Sequence, residues 1–139
     1  MMEVNHEYYV SLEVAKLLKE TGFDWGCCYC YEAETKDFLG DNEGEFNFNE
    51  GDDNDFYSAP TLAVAQRWLR EVKGLEIFVG FTKHDIGNGN EKAYFYSCYE
   101  VPENEDAFEH FDDIYYHSYE EAQEAGIKKA LEVILEKGE

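Results

Sequence analysis

Apolar side chains recur at helical spacing in three segments of the chain, and each segment is bounded by residues that typically begin or end helices. The segments span residues 11–21, residues 60–73 and the residues after a capping box of Ser118 and Glu121. The other bounding residues are Ser11 and Gly22, Pro60 in the first turn and Gly74 at the end of the second helix, and Gly138. We therefore predict three helices. The inward-facing positions are expected to include Leu62, Ala65, Trp68, Leu69 and Val72 in the second helix, and Ala122, Ile127, Ala130, Leu131 and Ile134 in the third.

Other segments are rich in aromatic and β-branched residues, which favours strands. We predict strands at residues 25–31, 75–81 and 93–99, and a short one at 113–117. The second and third pair as a hairpin across residues 84–90, a segment rich in residues that accept positive φ angles. The strands therefore supply most of one antiparallel sheet.

Residues 34–57 are dense in Asp, Asn, Gly and Glu, with phenylalanines between them, and we expect a long, partly ordered acidic excursion holding one short strand. The element order predicts an α+β fold of two layers, in which about three helices pack on a mainly antiparallel sheet of three to five strands. The length of 139 residues fits a single domain, 1–139, that includes the excursion.

Composition changes this picture mainly through charge. The chain carries 11 Lys and Arg against 32 Asp and Glu, a net charge of −21 at pH 7. Such a charge repels nucleic-acid phosphates and anionic lipid, so a basic protein is the expected partner, and direct nucleic-acid or membrane binding is not expected. The N-terminal residues lack the basic and apolar regions of a signal peptide, which predicts a cytoplasmic protein.

The negative charge is unevenly distributed. Residues 1–60 carry 15 acidic and 3 basic residues, a net charge of −12, and residues 61–139 carry 17 and 8, a net charge of −9. The clusters that we predict to contact a basic partner are Asp41, Glu43 and Glu45, then Asp52, Asp53 and Asp55 in the excursion, and Glu120, Glu121 and Glu124 at the third helix. The excursion lacks the spacing of a calcium-binding EF-hand, so a solvated loop is expected there.

Two arginines, Arg67 and Arg70, lie three residues apart on the second helix and are followed by Lys73. This basic stripe is compatible with bidentate binding of a carboxylate or phosphate of a partner. The alternative is an intramolecular clamp on neighbouring acids or a polar helix face, and charge reversal at both arginines separates the two interpretations.

Four cysteines, Cys27, Cys28, Cys30 and Cys98, lack the second closely spaced ligand pair of a structural zinc site, and buried free thiols are expected. His110 and His117 flank Asp112 and Asp113 without a second matching cluster, so a metal-dependent enzyme is not expected. We predict no metal, no cofactor and no catalytic residues.

The element order from residue 60 to residue 137, helix, three strands and helix, resembles the double-stranded-RNA-binding domain, and the alanine spacing of residues 118–131 extends the resemblance. That family places lysines at the start of its last helix to meet phosphates. This chain has Glu120, Glu121 and Glu124 there, which stabilise a helix start and repel RNA.

Three stretches, residues 9–24, 59–71 and 118–122, resemble small uncharacterised acidic proteins of Bacteroides-type gut bacteria and of their phages and mobile elements. The resemblance covers about half the chain and implies an accessory gene of mobile origin. It implies no particular activity, cofactor or functional residue.

These observations lead to two function hypotheses. The first is a non-catalytic acidic binding protein of phage or mobile-element type that mimics nucleic acid and inhibits a basic host protein, such as a defence nuclease or a transcription factor. The alternative is a small structural or regulatory domain that self-associates and uses its charge for solubility only. In that case an aromatic strand at a sheet edge, such as residues 93–99, pairs with its copy in a homodimer.

Overall fold

The computed structural model describes residues 6–40, 44–50, 55–85, 90–100, 108–110 and 114–137. The chain groups into two compact units, Met1–Ala65 and Gln66–Glu139. The first unit contains a short 3-10 helix (His6–Tyr8), helix α1 (Leu12–Thr21) and strands β1 (Tyr29–Glu32), β2 (Phe38–Gly40) and β3 (Phe56–Ser58). Helix α2 (Leu62–Trp68) and a π-helical turn (Leu69–Lys73) connect β3 to β4. The remaining elements are β4 (Leu75–Asp85), β5 (Asn90–Glu100), β6 (Phe108–His110) and α3 (Tyr119–Lys137).

Helix α1 has the boundaries that its sequence predicts. The Ser11 hydroxyl accepts a hydrogen bond from the Val14 N–H at 3.2 Å. Gly22 ends the helix with a φ of 98°, a left-handed conformation that glycine adopts without strain. The helix packs against β3 and buries Val14, Ala15 and Leu18 in the core of the first unit.

Strand β1 is the centre of a three-stranded antiparallel sheet with the order β2-β1-β3. Cys30 lies opposite Leu39 of β2 on one side and opposite Ser58 of β3 on the other. The predicted strand at 25–31 is shorter at its start, since Cys27 forms only an isolated bridge with Phe46. The excursion contributes two short strands, β2 and β3, instead of the one expected.

The second helix starts later than predicted, and its helical segment ends at Gly74 as predicted, although the last turn is π-helical. Thr61 caps it by accepting from the Val64 N–H at 3.2 Å, so Pro60 lies before the cap and not in the first turn. Gly74 ends the π-helical turn with a φ of 72°. A wider π turn rotates less per residue than an α turn, which shifts the positions that face the core. Val72, predicted to face inward, is therefore 51% exposed.

Strands β4 and β5 form a long antiparallel hairpin. Their register runs from Leu75 opposite Glu100 to Asp85 opposite Asn90, so positions 84, 85 and 90 of the predicted loop belong to the strands, and residues 86–89 lie outside the described residues. Strand β6 pairs with the last residues of β5 and completes the order β4-β5-β6. The predicted strand at 113–117 reduces to an isolated bridge of Tyr116 with Tyr94 in the described part of that segment.

Helix α3 covers one face of this sheet and packs on both β4 and β5. The Ser118 hydroxyl accepts from the Glu121 N–H at 3.1 Å, and the Glu121 carboxylate accepts from the His117 N–H at 3.0 Å. The Ser118 half of the predicted capping box is therefore present, whereas the Glu121 carboxylate bonds to the residue before the cap. The buried residues of this layer are Leu75, Ile77, Tyr96 and Cys98 from the sheet and Ala122, Gly126, Ile127, Ala130, Leu131 and Val133 from the helix. Ile134, expected to face inward, is only half-buried.

The described residues confirm an α+β fold with three α-helices and antiparallel strands. They correct one detail of the predicted architecture. The strands form two sheets of three instead of one sheet of three to five, because β1 pairs with β2 and β3 while β4, β5 and β6 pair among themselves. Within the described residues, no helix is both long and apolar enough to cross a membrane. The organisation as a single domain stays a prediction.

Candidate partner-binding surface

The acidic residues singled out in the excursion fall into two groups. Asp41, Glu43, Asp52 and Asp53 lie outside the described residues. Glu45 and Asp55 are described, and both are exposed. Glu45 stands beside the bridge between Cys27 and Phe46, in which two backbone hydrogen bonds of 2.8 and 2.9 Å join the excursion to the residues before β1.

Strand pairing gathers four carboxylate residues at one end of the first sheet. The Glu32 N–H donates to the Asp37 carbonyl at 2.9 Å, and the Ala33 N–H donates to the Asp55 carbonyl at 2.8 Å. The end of β1 therefore lies between the start of β2 and the start of β3. We call Glu32, Glu34, Asp37 and Asp55 the acidic sheet end. Since neighbouring strands are about 4.8 Å apart, its backbone positions span about 10 Å across three strands.

The side chains of the acidic sheet end face mostly solvent. Glu34, Asp37 and Asp55 are exposed, and Glu32 is half-buried. Lys36 lies in the same turn, where it adopts a φ of 66°. Spacing along the sequence does not predict this grouping, because Asp55 is separated from Asp37 by the whole excursion.

The acidic residues at the start of α3 have a structural role. The Glu121 carboxylate accepts from the His117 N–H, and both Glu120 and Glu121 lie in the positive first turn of the helix. Glu120 and Glu124 are half-buried, whereas Glu121 is exposed. Glu120 and Glu121 therefore stabilise the helix start, as the sequence predicts, whereas Glu124 lies beyond the first turn.

The basic stripe on the second helix contacts acids of its own unit. Arg67 Nε lies 2.7 Å from a carboxylate oxygen of Glu71, and Arg70 Nη1 lies 3.6 Å from one of Glu76. The Lys73 ammonium stands 5.5 Å from the centre of the Trp68 ring. This geometry favours the intramolecular clamp among the two interpretations of the arginines. Exposed ion pairs of this kind contribute only about 0–1 kcal/mol each.

Three of the four cysteines are buried thiols, as predicted. Cys27, Cys30 and Cys98 are buried and Cys28 is half-buried, all of them free. Burial raises the pKa of Cys27 to about 12 and that of Cys98 to about 11, and it also raises the pKa of Cys30. Such thiols are protonated and poor nucleophiles at neutral pH.

The histidine cluster of the sequence is only partly described. His110 ends strand β6, His117 is exposed just before α3, and Asp112 and Asp113 lie outside the described residues. In the part of the chain that the structure describes, no group of three or more His, Cys, Asp or Glu side chains is arranged to hold a metal ion.

A basic and aromatic cluster on the β4–β5 hairpin was not foreseen. Lys83 and Lys92 lie directly opposite each other on neighbouring strands, a pairing of like charges that destabilises a sheet. The Lys92 ammonium lies 4.6 Å from the centre of the Phe81 ring and 5.7 Å from that of Tyr94. The register of the predicted hairpin could have indicated that Lys83 and Lys92 face each other, because residues that pair across a hairpin are equidistant from its centre.

No family model, no curated protein and no solved structure matches the chain. The function is therefore argued from the charge and geometry of the residues described above.

Proposed function

We propose that the protein is a non-catalytic acidic binding protein that occupies the basic surface of another protein in place of nucleic acid. The proposed target is a basic host protein of the cytoplasm, such as a defence nuclease or a transcription factor. The resemblance to phage and mobile-element proteins motivates this choice of target.

The observation that carries the proposal is the acidic sheet end. Paired strands hold Glu32, Glu34, Asp37 and Asp55 together on backbone that is fixed by hydrogen bonds. Carboxylates held on a rigid scaffold lose little conformational entropy on binding. A single-sign patch also steers an oppositely charged partner and raises its association rate.

The ion pairs that the cations form with acids of this chain support the same proposal. Arg67, Arg70 and Lys137 each lie in an ion pair with an acid of their own unit. The acidic sheet end has Lys36 in its own turn, and the Lys19 ammonium donates to the Phe56 carbonyl at 3.1 Å, next to Asp55. Its four carboxylates still outnumber these two neighbouring cations, which leaves a net negative charge for a cationic partner.

The test compares two triple variants of the full chain with the same net charge. The first neutralises the acidic sheet end through Glu34→Gln, Asp37→Asn and Asp55→Asn. The second neutralises three other exposed acids of the same unit, through Glu20→Gln, Asp24→Asn and Glu50→Gln. Tagged wild type and both variants are used to capture proteins from a bacterial lysate at low and high NaCl, and the captured proteins are identified by mass spectrometry.

We expect the wild type and the second variant to retain a basic protein at low salt and to release it at high salt. The first variant should bind the same protein at least about tenfold more weakly, because its patch and not its net charge has changed. The recovered protein should also lose labelled duplex DNA when the wild type is added. Equal binding by both variants, or no basic protein retained at low salt, would contradict the proposal.

A further inference from the structure

Strand β4 forms one edge of the second sheet. The order β4-β5-β6 places β5 in the centre, so the aromatic strand 93–99, predicted to lie at an edge, is paired on both sides. Within the described residues, the ladder hydrogen bonds of β4 go to β5 alone. The edge available for a further strand is therefore β4, and the prediction that 93–99 forms it is wrong.

Two contacts show which backbone groups of β4 face outward. The Ile77 carbonyl accepts a hydrogen bond from the Gln66 side chain at 2.9 Å, so it points away from β5. On the side of β5 that points away from β4, Tyr94 exchanges two backbone hydrogen bonds of 2.9 and 2.8 Å with Tyr116. Tyr94 lies opposite Phe81, so Phe81 also directs its N–H and C=O away from β5.

The alternation of an antiparallel ladder then assigns the remaining positions. Val79, Phe81 and Lys83 direct their backbone groups outward, whereas Gly80 and Thr82 bond to β5. Among the described residues, the contact on this edge is that of Gln66 at Ile77. The open edge thus runs from Val79 to Lys83.

Phe81, Thr82 and Lys83 of this open edge are solvent-exposed, and Val79 is half-buried. Phe81 is 64% exposed, the highest value among the large apolar side chains described, and Phe78 is 53% exposed. A long apolar edge strand with free backbone groups is a template for another strand, because each added strand satisfies those groups. Only an extended segment can do so.

We propose that β4 pairs with β4 of a second copy, antiparallel and about a twofold axis at Phe81. This register joins Phe81 to Phe81 of the second copy, and Val79 to Lys83 of the second copy. It uses the three outward residues beyond Ile77 and leaves the Gln66 contact intact. It also places Lys83 opposite valine, so no like charges face each other, and it extends each three-stranded sheet into one of six strands.

Self-pairing has the opposite salt dependence from the binding of a basic partner. Two copies with a charge of −21 each repel, and salt screens that repulsion. Self-association should therefore strengthen as NaCl increases, whereas the complex of the proposed function should weaken. Failure of one does not imply failure of the other.

The test places charges at the proposed axis. Phe81→Lys and Phe81→Glu are each analysed alone and as an equal mixture by sedimentation equilibrium of the full chain over a hundredfold range of concentration. Wild type is expected to approach twice 16.2 kDa at the upper end. Each variant alone should dissociate at least about tenfold more readily, because like charges meet at the axis, and the mixture should recover a dimer.

A second pair of variants separates backbone pairing from side-chain burial. Phe81→Pro removes an outward N–H that makes no bond to any residue that the structure describes, and Phe81→Ala removes only the ring. The proline variant should weaken the dimer more than the alanine variant, while circular dichroism confirms that both retain secondary structure.

Three results would overturn the proposal. They are a wild type that stays monomeric at every concentration and salt, a mixture of the charged variants that fails to dimerise, and equal effects of proline and alanine. Hydrogen exchange could also overturn the proposal. If the Phe81 amide became protected only after a different polypeptide was added, the edge would bind that polypeptide and not a second copy.

Discussion

Asn49 shows how one side chain orders a segment whose composition is that of a loop. Its amide nitrogen donates to the Phe23 carbonyl at 3.0 Å, and its amide oxygen accepts from the Ser58 N–H at 2.9 Å. The Ser58 hydroxyl in turn accepts from the Phe48 N–H at 3.0 Å. Buried or half-buried backbone groups must find partners, and here Asn49 supplies them for Phe23 after α1 and for Ser58 at the end of β3. The excursion is thereby attached to β3 and to the residues after α1.

Cys27 links the stability of the first unit to pH. Burial raises its pKa to about 12, whereas an unfolded thiol ionises near about 8.5. The folded state therefore holds the proton more tightly, and its stabilising contribution is complete below about pH 8.5 and is lost as the pH rises toward 12. We expect the free energy of unfolding to fall more steeply with pH in the wild type than in Cys27→Ala.

Urea unfolding at several pH values between about 7.5 and about 9.5 measures both slopes. Val14→Ala serves as the control, since it removes a buried side chain of the same unit that does not titrate, and it should keep the wild-type slope. Parallel curves for wild type and Cys27→Ala would show that the Cys27 thiol does not carry this dependence.

At the scale of elements, Gly126 sets the distance between α3 and the second sheet. A Cβ at this position would lie 2.8 Å from the Ile77 γ-methyl carbon and 3.3 Å from Tyr96. Gly126→Ala should therefore destabilise the protein, because an overpacking cost of about 1–3 kcal/mol exceeds the gain of about 1 kcal/mol in helix propensity.

A double-mutant cycle with Ile77→Ala isolates this contact. Once the obstructing methyl carbon is gone, Gly126→Ala should become neutral or stabilising, and the coupling should reach about 1 kcal/mol or more in chemical denaturation. Additive effects of the two substitutions would mean that the helix accommodates the methyl group by another route.

Helix boundaries are predictable from this sequence where the signals are local. Ser11, Gly22, Ser118 and Glu121 act within one turn of the residues they cap, so their pattern is sufficient. The π-helical turn is not predictable in this way, and the expected inward position of Val72 was wrong.

Strand pairing depends on residues far apart in the sequence, and there the predictions are less complete. The hairpin of β4 and β5 was predicted because its strands are adjacent in sequence. The division into two sheets, the short strands β2 and β3, and the acidic sheet end all require the pairing of β1 with partners on both sides. Three-residue strands carry too little pattern to identify, since their register is fixed by the partner.

On the scale of the whole molecule, charge is spread over both units but not evenly. Residues 1–65 carry 15 acidic and 3 basic residues, a net charge of −12, and residues 66–139 carry 17 and 8, a net charge of −9. This charge opposes self-association at neutral pH while it attracts a basic partner. Ionic strength therefore selects between the two proposed modes of binding.

Acidification removes the charge repulsion that opposes self-association. Near the isoelectric point of about 4.3 the net repulsion vanishes, while the open edge of β4 keeps its uncharged stretch from Ile77 to Thr82. We expect the protein to form thioflavin-positive fibrous aggregates near that pH and to remain clear at neutral pH. Phe81→Pro should delay their appearance in a fluorescence time course, because proline interrupts the template, and an unchanged lag time would point to a different segment. Because of this edge strand, the solubility of the protein would depend on the pH around it. The protein would stay dissolved in neutral solution and would aggregate in an acidic compartment.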